Sequence, residues 1–513
     1  MAFFIKHLLS ILIFFPAASI LLLLPVNKKS YGILRNLSLF FSLAEFVFSV
    51  YLFVYFKPDT YKFQFVEKLP WIPSFGASYY LGIDGVSLFL ILLTTLLTSV
   101  SLLSSYRYIK EHVKEFVILM LLLETFMIGT FASLDVLLFY LFWEFMLIPM
   151  YFIIGMWGTG KRVYSAVKFV LYTLSGSLVM LLGLIYIFML HYHQTGNFTF
   201  NILRLYNTHI PDGLQLILFI ALFLGFAIKI PLFPFHTWLP DAHTEAPTAG
   251  SVILAGVLLK FGVYGFFRFA VPLLPAAALL LAPPVIVLSV IGILYGALVS
   301  IVQRDLKRLV AFSSVSHMGF IMLGLFAMSA VSVDGSVIQL LNHGITTGAL
   351  FLFVGMLYER MHTRQIKDFG GIAKKAPILT ALFMIPVLAS IGLPGLNGFI
   401  GEFLILAGSF HSYPVLTVIA TSGIIFAAVY LLWMFQRVMF QKNVNSEMEN
   451  FEDMNLREIV TVLPLILLMF FIGFYPMPFL ERIDPTVLHF VSMVQHHKAV
   501  YNIIKLRTGL SNA

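Results

Sequence analysis

Apolar residues occur along the chain in long runs, and short polar segments separate the runs. A hydrocarbon layer about 30 Å thick requires roughly 20 apolar residues per helix. Counting the runs against this length predicts about 14 membrane-spanning helices, which we number spans 1 to 14. Their predicted limits are 3–26, 34–56, 85–105, 116–132, 134–157, 163–191, 214–236, 248–270, 276–302, 308–330, 335–358, 376–411, 413–436 and 457–477. The pattern therefore predicts an all-α polytopic membrane protein.

Helix-breaking residues interrupt two of these runs. Span 7 contains Pro231 and Pro234, and span 12 contains the glycine- and proline-rich segment 392–398. Proline removes a backbone donor and clashes with the preceding turn, so we expect spans 7 and 12 to be discontinuous. Backbone groups freed at membrane depth must be satisfied by protein or by a water-filled cavity. Each break therefore predicts a polar interior.

The two breaks lie five spans apart, and an odd offset predicts two units that enter the membrane from opposite sides. We expect inverted five-helix repeats at 116–270 (spans 4–8) and 271–440 (spans 9–13). Spans 1–3 occupy 1–115, with the first run read as a retained span. Span 14 and a C-terminal tail occupy 441–513. Residues 1–60 and the tail carry no motif that predicts a role.

Basic residues are concentrated in alternate loops between the spans. Cytoplasmic loops carry an excess of Lys and Arg, so this asymmetry places both chain termini on the outside. The same clusters account for the net charge of +8, and nucleic acid binding is not indicated. Hydrophobic residues make up 60% of the chain and charged residues 11%, which is typical of membrane proteins. The absence of cysteine excludes disulfides and cysteine-ligated iron–sulfur clusters in this chain.

A few ionisable residues lie inside the predicted spans. A charge at mid-membrane costs about 2.5–3.5 kcal/mol on insertion scales, so such residues usually face the protein interior and carry function. The candidate site residues are Glu144, Lys229, Lys260, His317, His343 and Glu402, with Lys168 and Glu124 as secondary candidates.

Helical spacing gives several candidates polar neighbours. One face of span 11 carries Ser336, Gln339, His343, Thr346 and Thr347. Ser313 and Ser314 share the face of His317, and Tyr140 and Tyr151 share the face of Glu144. Hydroxyls and imidazoles both donate and accept hydrogen bonds, as a proton relay requires. The pattern therefore favours a proton pathway through the membrane interior.

Structural roles remain open for each candidate. Glu144 and Lys229 could form a static ion pair. His317 and His343 could be satisfied core histidines or the axial ligands of a haem. Lys168 could extend to the inner interface.

Two further features are ambiguous. Glu124 and Glu45 could face solvent or lipid headgroups rather than serve transport. The segment His236–Pro247 contains His, Asp and Glu, but its spacing is not that of a compact metal site, and we expect a loop-packing role.

Four segments resemble the signatures of the antiporter-like proton-pumping subunits of respiratory complex I, NADH-quinone oxidoreductase. They read LFYLFWEFMLIPMYFIIGMWG, KIPLFPFHTWLPDAHTEAPTAGSVILAGVLLKFGVYGFFR, RDLKRLVAFSSVSHMGF and LNHGITTGALFLFVGMLYER. The resemblance covers spans 3 to 14. Three such subunits occur per complex, and one has Glu in span 12 where the others have Lys; this chain has Glu402. The lack of a predicted long helix after span 14 also resembles that member.

The resemblance implies a role for each candidate. Glu144 and Lys229 would form the first ion pair of the pump, and Lys260 would be the central bridging lysine. His317 and His343 would link the hydrated axis, and Glu402 would be the last group before release.

The resemblance also implies the surroundings of the chain. It implies no redox cofactor in this chain; NADH, FMN, iron–sulfur clusters and quinone would be bound by partner subunits. The partners would be two further antiporter-like subunits, other membrane-arm subunits, the peripheral arm and membrane lipids. The expected location is the bacterial inner membrane, with a mitochondrial or other energy-transducing membrane as the alternative.

Three other functions remain open. The same architecture occurs in subunits of multisubunit Na+/H+ antiporters and membrane-bound hydrogenases. A structural spacer would transmit motion without carrying protons. A quinone-reducing or haem-containing enzyme is disfavoured because the sequence has no cysteine and no metal motif.

Overall fold

A computed structural model describes residues 6–442 and 451–508. The first residues of predicted span 1, the linker 443–450 and the end of the predicted tail at 509–513 lie outside the described residues. Within the described ranges almost all regular structure is helical, which confirms the predicted fold class.

Twelve described helices are long and apolar enough to cross a membrane, by length and composition. They correspond to spans 2–11, 13 and 14. Their bounds are Tyr31–Tyr55, Gly85–Tyr108, Val113–Ala132, Val136–Trp157, Arg162–Thr195, Asp212–Lys229, Thr248–Leu273, Pro275–Ile301, Leu306–Ala327, Ala330–Met361, Pro414–Phe440 and Leu456–Phe474. Three shorter apolar helices, Leu8–Leu23, Pro377–Ser390 and Asn397–Phe410, correspond to span 1 and to the two halves of span 12.

The connections contain the remaining short helices. These are Pro73–Phe75, Ile202–Leu205, Trp238–Glu245, Ile366–Asp368 and Ile372–Lys375. Each predicted repeat has its break in the fourth of its five helices. The inverted relation of the repeats, the domain limits and the orientation in the membrane remain predictions.

A β-hairpin between spans 2 and 3 is an addition to the predicted all-α fold. Strand β1, Gln64–Ile72, pairs antiparallel with strand β2, Ala77–Ile83. In β2, Ser78 N–H donates to the Asp135 carboxylate at 2.9 Å, and the same carboxylate caps the start of span 5. The hairpin thus fixes the end of span 5 that precedes Glu144.

A long helix, Met477–Thr508, follows span 14 and corrects the prediction of a tail without a long helix. We call it the C-terminal helix. A count of apolar runs does not detect this helix, because its composition is mixed and it contains a proline. It packs against span 3, where Gly85 N–H donates to the Thr486 hydroxyl at 3.3 Å, and against span 8, where Phe490 stacks on Phe267 at 4.4 Å between ring centroids.

The break in span 7 is confirmed. The helix ends at Lys229, and the short helix Trp238–Glu245 follows after a turn. Pro234 has no N–H to donate within this turn. The carbonyl of Ile228, at the end of the helix, instead accepts a hydrogen bond from the Trp238 indole at 2.9 Å. Protein therefore satisfies backbone polarity next to Lys229.

The break in span 12 is also confirmed. The first half ends at Ser390 and the second begins at Asn397. Between them Gly392 has φ +80°, a left-handed conformation that favours glycine. The Asn342 side chain on span 11 donates to the carbonyl of Asn397 at 2.8 Å. The broken backbone is thus held by a polar side chain of the neighbouring span.

Span 8 contains two π-helical turns, Leu254–Leu258 and Phe266–Ala270, on either side of Lys260. Such turns are rare and often lie at functional sites, and nothing in the apolar pattern predicts them. Between them, span 8 passes close to span 7: a Cβ added at Gly262 would lie 2.5 Å from the carbonyl oxygen of Phe226.

We expect Gly262→Ala to destabilise the protein by about 1–3 kcal/mol, because the added methyl group meets backbone that cannot move freely. Thermal unfolding of the purified assembly measures this change. Gly213→Ala is the matched control, since a Cβ at Gly213 meets nothing within 4 Å. Equal melting of the two variants would show that the approach of spans 7 and 8 is not tight.

Candidate functional site

Glu402, on the second half of span 12, lies at the meeting point of three spans. One carboxylate oxygen is 3.0 Å from Nδ1 of His317 on span 10. The same oxygen accepts a hydrogen bond from the side-chain amide of Gln339 on span 11 at 3.3 Å. The other ring nitrogen of His317 is 3.1 Å from the hydroxyl of Ser390, at the end of the first half of span 12. All four side chains are buried.

Lys260 reaches the same region from span 8. Its ammonium is 2.7 Å from Nδ1 of His343 and donates to the carbonyl of Ala255 at 2.5 Å. The His343 and His317 rings lie 5.8 Å apart between centroids. Four of the six main candidates therefore form one continuous group, which we call the axis cluster: Lys260, His343, His317 and Glu402.

A small cavity opens beside the two histidines of the axis cluster. It is lined by side chains of spans 10, 11 and 12, including Ser390 and Thr346. Its volume of about 10 Å³ is room for about one water molecule. His343 Nε2 and the Asn342 side-chain oxygen are buried without a hydrogen-bond partner in the described structure. A bridging water in this cavity would have polar partners.

The predicted polar face of span 11 is largely confirmed. Gln339, His343, Thr346 and Thr347 all line the cavity. Ser336 instead donates to the carbonyl of Ile321 at 2.7 Å. The face is therefore polar where it meets span 12.

The hydroxyls expected on the face of His317 bond to backbone, and another hydroxyl contacts the ring. Ser313 and Ser314 both donate to the backbone carbonyl of Val310, as hydroxyls in helices often do. The hydroxyl that contacts His317 is Ser390, which lies 73 residues further along the chain. Helical spacing within one span could not identify this partner.

Glu144 and Lys229 lie apart from the axis cluster, and they do not form the expected ion pair. In the described structure their charged atoms are not within 4.0 Å of each other. The Lys229 ammonium is buried without a hydrogen bond and lies 5.5 Å from the Trp143 ring centre and 5.4 Å from that of Phe169. Cation–π attraction supports it there. Glu144 is the charged side chain that acts on Lys229 from a distance.

Aromatic side chains separate Lys229 from the axis cluster. The Trp143 ring lies next to Lys229 and also 5.9 Å from Phe261, the residue that follows Lys260. Phe226 also contacts Trp143, with ring centroids 5.7 Å apart. The structure therefore brings Lys260, His343, His317 and Glu402 together but does not connect them to Lys229.

His243 is a candidate that the sequence analysis missed. It lies in the short helix after the span 7 break, fully buried, and neither ring nitrogen has a hydrogen-bond partner among the described atoms. Both Lys260 and Lys307 act on it electrostatically. The expected loop-packing role accounts for its stacking on Phe351 but not for two buried ring nitrogens without partners. The sequence feature that could have identified His243 is its position seven residues after His236 and close to the span 7 break.

Lys168 has a structural role, as the sequence left open for it. Its ammonium is 2.7 Å from the Asp241 carboxylate, which also binds Arg308 at 3.1 Å. The ion pair holds span 6 to the short helix Trp238–Glu245 and thereby supports the span 7 break.

Glu124 and Glu45 do not face solvent or lipid headgroups. Both side chains are fully buried, and their oxygens have no hydrogen-bond partner within the described ranges. The described residues also contain no group of three or more His, Asp or Glu side chains that could hold a metal ion.

We expect Glu402→Lys to destabilise the protein by about 1–3 kcal/mol, because an ammonium would lose the hydrogen bonds that the carboxylate accepts. The matched control is Glu402→Gln, whose side-chain oxygen still accepts from Gln339. Expression level and thermal unfolding of the assembly distinguish the two. A lysine variant as stable as the glutamine variant would mean that the site does not select a carboxylate.

The sequence model of a protein family described as "NADH:quinone oxidoreductase/Mrp antiporter, TM" matches residues 133–427, more than half of the chain. The chain belongs to this NADH:quinone oxidoreductase/Mrp antiporter family. The matched segment contains all six main candidates, so the family core coincides with the site that the structure assembles.

Relatives in the NADH:quinone oxidoreductase/Mrp antiporter family match nearly the whole chain. NADH-quinone oxidoreductase subunit M of Rickettsia bellii is 44% identical over 474 residues, which cover 91% of this chain and 95% of the relative. NADH-ubiquinone oxidoreductase chain 4 of Marchantia polymorpha is 43% identical over 491 residues, covering 96% and 97%. A chain of respiratory complex I from Thermus thermophilus has a TM-score of 0.86 and 32% identity, covering 96% of this chain and 99% of that one. The resemblance seen in the sequence is confirmed.

Proposed function

We propose that this chain is a proton-translocating membrane subunit of an NADH:quinone oxidoreductase, of the type named subunit M or chain 4. The axis cluster is the observation that carries the proposal. It places a lysine, two histidines and a carboxylate in hydrogen-bond or near contact across spans 8, 10, 11 and 12. Relatives of that name at 43–44% identity support it.

The cluster offers a donor and an acceptor at each step. Lys260 can donate a proton to Nδ1 of His343, and a water in the adjacent cavity can pass one from His343 to His317. His317 can then donate from Nδ1 to Glu402. Each neutral imidazole carries a proton on one ring nitrogen and accepts a proton on the other. After one transfer the ring holds its proton on the opposite nitrogen, and exchange of protons with water returns it to its starting state.

Glu144 and Lys229 would control the entry of this relay. A charged Lys229 next to aromatic rings depends on Glu144 as its counter-charge, so a change in their separation changes whether Lys229 retains its proton. At an effective dielectric near 20, moving such a pair from about 4 to 8 Å changes its energy by about 2 kcal/mol. The aromatic barrier at Trp143 must then open or admit water for the proton to reach Lys260.

The proposal assigns no redox chemistry to this chain. NADH oxidation, FMN, iron–sulfur clusters and quinone reduction belong to partner subunits, and the coupling signal arrives from a neighbouring antiporter-like subunit. We propose the bacterial inner membrane as its location, because the relatives named subunit M come from Rickettsia and Rhodobacter.

The second candidate is a subunit of a Na+/H+ antiporter, since the family description also includes Mrp antiporters. Glu402 favours the oxidoreductase, because the resemblance in span 12 is to the one complex I member that has Glu there.

Purification of the assembly through an affinity tag on this chain tests the proposal. We expect co-purification of flavin and iron–sulfur subunits, and NADH-driven proton uptake by inverted membrane vesicles. Co-purification of hydrophobic subunits alone, with Na+/H+ exchange that requires no NADH, would establish the antiporter instead.

A further inference from the structure

Two carboxyl groups lie in the membrane interior away from the axis cluster. Glu45 is at the middle of span 2, and Glu124 is at the middle of span 4. Both side chains have 0% exposure, and each of their four oxygens is buried without a hydrogen-bond partner in the described structure. The two carboxyl groups are close enough to act on each other electrostatically. The proposed relay does not use either of them.

Within the part of the chain that the structure describes, the pair has no counter-charge. No basic side chain acts on either carboxyl group. Span 1, which packs on spans 2 and 4, contains no charged residue between Leu8 and Leu23. The other ionisable groups of spans 2 to 4 are Tyr31, Arg35, Tyr51 and Tyr55 of span 2, Tyr106, Arg107 and Tyr108 of span 3, and Lys114 and Glu115 of span 4. Span 5, which also packs on span 4, carries Tyr140, Glu144 and Tyr151. The charged groups of spans 2 to 4 are nine or ten residues along the helix from the level of the pair, about 14 Å.

Several neighbouring hydroxyls are engaged elsewhere. Hydroxyl pairs join spans 2 and 3 above and below Glu45: Ser42 with Ser99 at 2.6 Å and Ser49 with Thr95 at 2.7 Å. Thr98 lies beside Glu124, but its hydroxyl donates to the carbonyl of Thr94 at 2.9 Å. A negative charge on either carboxyl group would therefore receive little hydrogen-bond stabilisation.

Two charged carboxylates cannot both persist at such a place. A buried charge without partner or hydrogen bonds is neutralised, and two adjacent carboxyl groups retain a proton because like charges repel. We propose that Glu45 and Glu124 form a second proton-binding site in the membrane interior, in which the two carboxyl groups together hold at least one proton at neutral pH. This proposal rests on burial and contacts and does not depend on the proposed function.

The site fits a proton better than a metal cation. Hard cations such as Ca²⁺ take six or more oxygen ligands. Here two carboxyl groups are surrounded by hydroxyls already bonded to one another or to backbone carbonyls. A proton needs only one carboxyl oxygen, which either member of the pair supplies.

Infrared difference spectroscopy of the purified assembly at pH 7 tests the proposal. The spectrum of the wild type minus that of the double variant Glu45→Gln, Glu124→Gln should show the C=O stretch of a protonated carboxylic acid, which shifts in D2O. Wild type minus Glu115→Gln is the control and should show carboxylate and amide bands but no carboxylic acid band, because Glu115 is a partly exposed glutamate paired with Lys28.

If the double variant fails to assemble, the single variants Glu45→Asp and Glu124→Asp replace it in the test. Each keeps both acids, so we expect the carboxylic acid band to move without disappearing. Carboxylate bands alone at pH 7 would overturn the proposal. An acid band that appears only after Na+ is removed would also overturn it, in favour of a cation site.

Discussion

Replacing Glu144 with Gln is expected to abolish proton translocation while the assembly remains intact. Lys229 is buried against Trp143 and Phe169, and Glu144 is the charged group that acts on it. Glutamine keeps the size of the side chain but removes the counter-charge, so Lys229 can no longer alternate between charged and neutral states. Acidification of inverted membrane vesicles on addition of NADH measures the loss, and native gel electrophoresis checks assembly.

Glu111→Gln is the matched control for this prediction. Glu111 is an exposed glutamate shortly before span 4, and its removal should leave proton translocation unchanged. If Glu144→Gln vesicles acidify at the wild-type rate, Glu144 does not control Lys229. The aromatic setting of Lys229 would then be a structural anchor.

The second large effect is expected for Lys260→Met. Methionine preserves an unbranched apolar side chain but removes the group that donates to Nδ1 of His343. A positioned proton donor contributes on the order of 10² or more to a rate, and proton translocation should fall by at least that factor. The ratio of protons translocated to NADH oxidised in sealed vesicles is the appropriate measurement.

Lys367→Met is the control for this substitution, because Lys367 is exposed in the connection between spans 11 and 12. An unchanged ratio in Lys260→Met would reject the relay through the axis cluster. It would favour the view that the chain is a spacer that transmits motion, and that view also predicts full coupling in Lys229→Ala.

The spans and both helix breaks could be predicted because they depend on local composition. Length in hydrocarbon fixes the apolar runs, and the closely spaced breakers Pro231 with Pro234, or those of segment 392–398, interrupt a helix by their local chemistry. The ionisable candidates could be selected for the same reason, since a charge in an apolar run is rare. The one-dimensional pattern contains this information.

Contacts between spans could not be predicted in the same way. Ser390, not Ser313, meets His317, and Trp143 rather than Glu144 lies against Lys229. Such contacts depend on how each helix is rotated and how close it approaches its neighbours. The π-helical turns beside Lys260 and the burial of His243 depend on the same packing. Residue type identified the candidates, and only the structure shows which of them meet.

The C-terminal helix has a consequence for membrane insertion. It packs on span 3 at Gly85 and on span 8 at Phe267, although it follows span 14 in the chain. During biosynthesis those two surfaces stay uncovered until every span has entered the bilayer. Nascent chains that stall before this point therefore expose both surfaces, which lipids or chaperones must cover.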